Sequence, residues 1–162
     1  MVVGAERLQI YLGRLTGINP GIPLHLCGLT FYTVPSAHEQ VETDALGRQK
    51  YIGLVIQAGP WMIYHSGDTV HYAGMENLSR ERPIDLGLLP INGHEATRGL
   101  VGNLSGPEAA QLAHDSGIHL VVPCHYEMFE FNSDSPQGFI QAAREIDQPY
   151  RILKCGERFS LG

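Results

Sequence analysis

The sequence predicts a mixed α/β fold built on a mixed sheet. Three observations carry that prediction. Two nearly continuous apolar runs, Asp85–Ile91 and Ile118–Val122, have the pattern of strands buried on both faces. Each is followed, after a loop, by a segment with helix start signals, at Ser105-Gly106-Pro107-Glu108 and at Ser135-Pro136. Strand-like pairs lie before and after this strand–helix–strand–helix core.

The elements follow in chain order. Residues 1–22 are weakly patterned and close on an Asn19-Pro20-Gly21 turn. Leu29–Val34 is rich in β-branched and aromatic residues and reads as a strand. His38 to Lys50 is polar and reads as a loop. Tyr51–Ala58 and Trp61–Tyr64 flank Gly59-Pro60, which reads as a hairpin. After the apolar run at 85–91, a long loop from Asn92 to Leu104 has the length of a functional loop. Ser105 and Glu108 have capping-box spacing, so a helix is expected over about 106–116, stopping at Gly117. A second helix is expected over about 136–146. Tyr150–Lys154 and Arg158–Leu161 read as a closing hairpin around Gly156.

At 162 residues, 1–162 is expected to form a single domain. A net charge of −6 without a basic stripe argues against nucleic acid as a partner. No apolar stretch reaches the roughly 18–20 residues of a membrane span. The first residues lack the pattern of a signal peptide. Three scattered cysteines, Cys27, Cys124 and Cys155, fit a reducing cytoplasm better than a disulfide framework. Eight histidines are many for this length and raise the expectation of metal or acid–base chemistry.

Three short motifs concentrate that expectation. They are Pro35-Ser36-Ala37-His38-Glu39, Ser66-Gly67-Asp68-Thr69 and Pro123-Cys124-His125-Tyr126, each just after a strand-like run. Asp68 could bridge two cations through its two carboxylate oxygens; a turn Asp bonding the next amides has the same local pattern. His38 follows a proline and two small residues, which leave room for a cation; an exposed loop histidine would look alike. His125 leaves a buried strand, where a core histidine is the plain alternative. Two strand-exit histidines with a strand-exit aspartate favour the ligand reading. Cys124 could be a soft metal ligand, but a buried structural thiol is expected, facing away from His125 if strand geometry continues. Asn92, His94 and Arg98 lie in or at the long loop; Arg98 and His94 suit an anionic small-molecule substrate, and a solvated loop is the alternative. His65 and His71 flank Asp68 and could support a ligand. Tyr126 could orient a ligand or substrate.

Together VPSAHE, SGDT, LPINGH…R, VGN before the EAAQLA helix, and PCHYEMFEFN resemble the metallo-β-lactamase superfamily, in particular its ascorbate-6-phosphate lactonase-like metal-dependent hydrolases. The resemblance runs from about Glu6 to Gly162. It implies an αββα sandwich, of which this chain would be the C-terminal half, and a binuclear Zn or Mn centre. His38 would hold one metal, His125 the other, and Asp68 would bridge them, with Asp68 and His125 central to catalysis. The family's His-x-His-x-Asp-His motif is absent, so each metal position keeps two protein ligands. Weak or absent metal binding and impaired lactonase or phosphoester hydrolysis are expected of the chain alone. The alternative is a catalytically inactive half-domain serving as an oligomeric or interaction module. A homodimer is expected, because strands apolar on both faces would otherwise leave one face uncovered.

Overall fold

A computed structural model describes residues 2–5, 15–80, 82–94, 102–127 and 134–162. Its centre is a six-stranded mixed sheet in the order β3-β4-β5-β6-β7-β8. These strands are β3 (Leu24–Leu26), β4 (Leu29–Pro35), β5 (Ile52–Ala58), β6 (Trp61–His65), β7 (Leu86–Pro90) and β8 (Leu120–Cys124). The first four pair antiparallel; β6, β7 and β8 pair parallel. A separate parallel pair joins β1 (Val2–Ala5) to β2 (Leu15–Ile18). The mixed α/β prediction therefore holds.

The expected hairpin at Gly59-Pro60 forms, with Ala58 opposite Trp61 and Gly59 in the left-handed region at φ 59°. Helix α1 (Gly106–Asp115) opens as its sequence predicts. Ser105 Oγ accepts from the Glu108 amide while the Glu108 carboxylate accepts from the Ser105 amide. Helix α2 (Gln137–Glu145) begins one residue later than expected; Ser135 Oγ accepts from the Gln137 amide at 3.3 Å.

Strand register sorts the sheet into two faces. Tyr32, Val55, Tyr64, Gly87 and Val121 are cross-strand neighbours and share one face. That face carries the core: Val55, Tyr64, Leu89 and Val121 pack with Leu104, Ala109, Ala110, Leu112 and Ala113 of and before α1, and with Phe139 and Ala143 of α2. Gly106 explains how closely the two helices approach, since a Cβ there would stand 2.5 Å from the Phe139 amide nitrogen. The other face, with Phe31, Leu54, Ile56 and Ile63, contributes nothing to this cluster.

Two expectations fail. Residues 1–22 hold a strand pair that the weak patterning did not reveal. The closing hairpin does not form a ladder: Gly156 does turn the chain, with the Glu157 amide donating to the Lys154 carbonyl. The first arm instead lies along β8, where Tyr150 bridges Val121 in parallel and the Arg151 amide donates to the Val121 carbonyl. Backbone pairing with a core strand outcompetes a short, exposed hairpin. Among the described residues no helix is long and apolar enough to cross a membrane.

A candidate metal site at the strand exits

Topology brings the motifs together. Because β4 and β6 are both antiparallel to β5, and β6, β7 and β8 are parallel, all four leave the sheet at the same edge. The residues after them are Ser36–His38, Ser66–Asp68, Ile91–His94 and His125. Carboxyl ends of strands are where open α/β sheets bind ligands, because rigid backbone there presents side chains to solvent.

Short hydrogen bonds stitch these exits to one another. Ser36 Oγ donates to the Asp68 carbonyl at 2.8 Å, and the Ala37 amide donates to Thr69 Oγ1 at 3.0 Å. The Val70 amide returns to the Ala37 carbonyl at 2.7 Å. Ser36, Ser66 and Thr69 are all buried. Gly67 turns the chain at φ 66°, with the Ile52 carbonyl oxygen 3.1 Å from where a Cβ would stand. The backbone beneath Asp68 is thus fixed, while its carboxylate remains half exposed.

The side chains of Asp68 and His125 converge. His125 Nε2 stands 3.9 Å from Asp68 Oδ2. His125 has left strand geometry, at φ 59°, an uncommon conformation for a residue with a Cβ. The expected alternation between Cys124 and His125 is therefore broken, because β8 ends at Cys124. Strain of that kind persists where surrounding contacts hold it, and it clusters at functional sites. His125 Nδ1 is buried without a hydrogen-bond partner among the described residues. Burial, and secondarily the Asp68 charge, pushes the Cys124 thiol up to about 12. That matches a structural thiol, since the ionised form needed of a soft ligand is strongly disfavoured.

His38 is positioned differently. Its imidazole lies against Gly102, where a Cβ would fall 2.6 Å from the ring, and near Tyr51, with ring centroids 5.7 Å apart. Gly102 sits at φ 91°, so both its backbone and the ring require glycine. Asn103 follows and is buried; its Oδ1 accepts from the Thr69 amide at 3.1 Å, and its carbonyl oxygen lies 3.0 Å from His94 Nδ1. A carbonyl only accepts, so a neutral His94 carries its proton on Nδ1 and keeps a lone pair on Nε2. Gly102 and Asn103 were missed as site residues by motif reasoning, although both stand in the VGN string; no ligand-type side chain marks them.

The remaining candidates scatter. Asn92 is buried and bridges Ser105 across the loop. Arg98 lies outside the described residues. The Tyr126 hydroxyl donates to the Leu153 carbonyl at 2.6 Å, which ties it to the C-terminal segment. His65 Nδ1 accepts from the Gly67 amide, so it supports the turn below Asp68, while His71 is exposed.

Asp68 and His125 offer one oxygen and one nitrogen 3.9 Å apart, about half an ångström wider than the roughly 3.4 Å between two corners of a tetrahedral zinc shell, so the side chains would have to close on a cation to bind it together. Catalytic zinc sites usually have three protein ligands. Among the described residues no group of three His, Cys, Asp or Glu side chains is arranged around one point. The described residues therefore fit part of a metal site and do not complete one.

The family described as "Beta-lactamase superfamily domain" matches residues 5–126. A UPF0173 metal-dependent hydrolase of Thermococcus onnurineus is 33% identical over 171 residues, covering 98% of this chain and 71% of the relative. A UPF0173 metal-dependent hydrolase of Caldivirga maquilingensis is 27% identical, covering 99% and 69%. Among solved structures, Igni18, a metallo hydrolase from the archaeon Ignicoccus hospitalis, superposes with a TM-score of 0.76 at 23% identity. That match covers 96% of this chain and 66% of Igni18. The family profile and the sequence relatives agree, and the fold is consistent with them: the chain belongs to the metallo-β-lactamase superfamily.

Proposed function

We propose that this chain carries part of the active site of a metal-dependent hydrolase, with Asp68 and His125 as metal ligands and His38 as a ligand of a second position. The observation that carries the reading is the 3.9 Å approach of His125 Nε2 to Asp68 Oδ2 at the common strand-exit edge. A bound divalent cation supplies Lewis acidity and a nucleophile at neutral pH. The chain's own residues do the rest. Ser36, Thr69 and Asn103 hold the backbone of the Asp68 turn, so the point from which the carboxylate projects is fixed before any ligand arrives. When neutral, His94 would keep its lone pair on Nε2, able to accept a hydrogen bond or a proton from substrate.

The substrate class we assign is a small anionic lactone or phosphoester. His94 of the β7 exit loop would face its anion, and zinc or manganese would be the metal. The relatives' names, metal-dependent hydrolases, support the general chemistry. A second reading, a catalytically silent interaction module, is favoured by the incomplete ligand set among the described residues.

The test is turnover of a sugar-phosphate lactone and of an aryl phosphodiester, with added Zn²⁺ or Mn²⁺, by this chain and by Asp68→Ala. Turnover that needs the metal and falls at least about 100-fold in Asp68→Ala supports the hydrolase, since even supporting residues around a metal typically cost about 10–100-fold. Rates equal in chain, variant and buffer support the silent module.

A further inference from the structure

Three strand exits meet at one short stretch, Gly102-Asn103. From the β4 exit, the His38 ring lies against Gly102, 2.6 Å from where a Cβ would stand. From the β6 exit, the Thr69 amide donates to Asn103 Oδ1 at 3.1 Å. From the β7 exit, His94 Nδ1 stands 3.0 Å from the Asn103 carbonyl oxygen. Asn103 is only 2% exposed and Thr69 is fully buried. The side chain of Asn103 thus holds a backbone, and its backbone holds a side chain.

The contact with His94 fixes more than a position. Two acceptors lie near Nδ1. Glu108 Oε2 is 3.8 Å away, beyond hydrogen-bond reach. That oxygen already accepts from the Ser105 amide and from Ser105 Oγ, each at 2.8 Å. The Asn103 carbonyl is therefore the partner, and a carbonyl only accepts, which places the proton of a neutral ring on Nδ1. Which ring nitrogen keeps its lone pair decides how a histidine can take a proton. The carbonyl is held from both sides. On one side Asn103 Oδ1 grips the Thr69 amide, and Thr69 Oγ1 accepts from the Ala37 amide. On the other, the Gly93 amide donates to the Leu104 carbonyl at 2.9 Å, and Asn92 bridges Ser105. The anchor of the carbonyl is thus the same turn that carries Asp68.

We propose that Asn103 is a positioning residue. Through its grip on the Thr69 amide it holds its own carbonyl against His94, and so selects the His94 tautomer that leaves the lone pair on Nε2. The same grip ties His94 to the turn beneath Asp68. The role of His94 toward substrate rests on the hydrolase reading above; the tautomer and its dependence on Asn103 do not. The plain alternative is a buried asparagine that only satisfies the Thr69 amide. A buried donor left without an acceptor is costly in either case, so a loss of stability does not separate the two. The state of the His94 ring does.

The experiment is nitrogen-15 NMR of the histidine rings in the metal-free chain, at about pH 9, well above the ordinary histidine value of about 6.5. The ratio of Nδ1–H to Nε2–H tautomer is read at His94 and at exposed His71 as an internal reference. The net worth of one hydrogen bond predicts a ratio about two- to tenfold higher at His94 than at His71. Asn103→Ala should bring His94 to the His71 ratio and speed exchange of the Thr69 amide at least about tenfold. Asn103→Asp keeps the acceptor at the same place and should restore both. Leu112→Ala, a truncation in the core under α1, should leave the His94 ratio raised. A His94 ratio equal to that of His71 in the unaltered chain overturns the proposal outright. So does a raised ratio that survives in Asn103→Ala, which leaves Asn103 a clamp on Thr69 alone, or one lost equally in Leu112→Ala, which makes it a sign of general stability. Should Asn103→Ala fail to fold, the unaltered chain and Asn103→Asp decide, since both must show the raised ratio. The measurement needs neither metal nor turnover, so a chain without hydrolase activity leaves its outcome untouched.

Discussion

At the residue scale, the site depends on a few positions where geometry and chemistry coincide. Asp68 and His125, which the structure brings within 3.9 Å, stood out in the sequence because their types are ligand types and both follow apolar strands. Gly102 was not, because its contribution is the space it leaves for His38. A methyl group at Gly102 would meet the imidazole at 2.6 Å with the backbone at φ 91°. Gly102→Ala is therefore expected to destabilise the fold by about 1–3 kcal/mol through the left-handed backbone alone. It should also displace His38, whereas a glycine replaced elsewhere in open space, such as Gly47, should not. Chemical denaturation reads the first effect, and the His38 ring resonances read the second. An unshifted His38 in a folded Gly102→Ala chain would contradict the packing described.

At the element scale, the strand exits and α1 follow directly from sequence. The helix start is written in Ser105 and Glu108, and the structure shows both halves of that reciprocal cap. Ser105→Ala removes the acceptor for the Glu108 amide and should cost about 1 kcal/mol, within the usual range for a lost N-cap. Urea unfolding measures this, and the loss should be smaller for Ser135→Ala, whose oxygen accepts only from the Gln137 amide, whereas Ser105 Oγ also donates to the Glu108 carboxylate at 2.8 Å. Two elements were not legible. The β1–β2 pair is built from short segments, where pairing and not pattern decides. The C-terminal segment had the turn and alternation of a hairpin, yet Val121 offered its backbone groups to Pro149 and Arg151 instead. Sequence periodicity shows which residues can form strands; it does not show which neighbour wins them. The break at His125 is a similar case, since nothing local announces φ 59° after a valine-rich strand.

At the scale of the whole molecule, the core's tyrosines set an alkaline limit. Burial pushes the Tyr72 hydroxyl up from 10 to about 12, and burial also raises that of Tyr64. In the unfolded chain both ionise near their ordinary value, so the folded state holds the protons longer. Stability is then fully present below about pH 10 and is lost as pH rises through about 12, because the unfolded state releases protons first. Unfolding midpoints measured above neutrality should fall in that window, and Tyr72→Phe should flatten the fall.

The proposed function turns on one claim, that Asp68 and His125 bind a metal ion together. The direct test is a Zn²⁺ titration followed by NMR of the histidine side chains. The account predicts that His125 responds first, that His38 follows, and that exposed His25 and His114 stay unchanged at the same metal concentration. It further predicts that Asp68→Ala weakens the His125 response at least tenfold while leaving the fold intact, because that carboxylate is half exposed. A His125 resonance indifferent to metal, or one that responds equally with Asp68 removed, would contradict the claim.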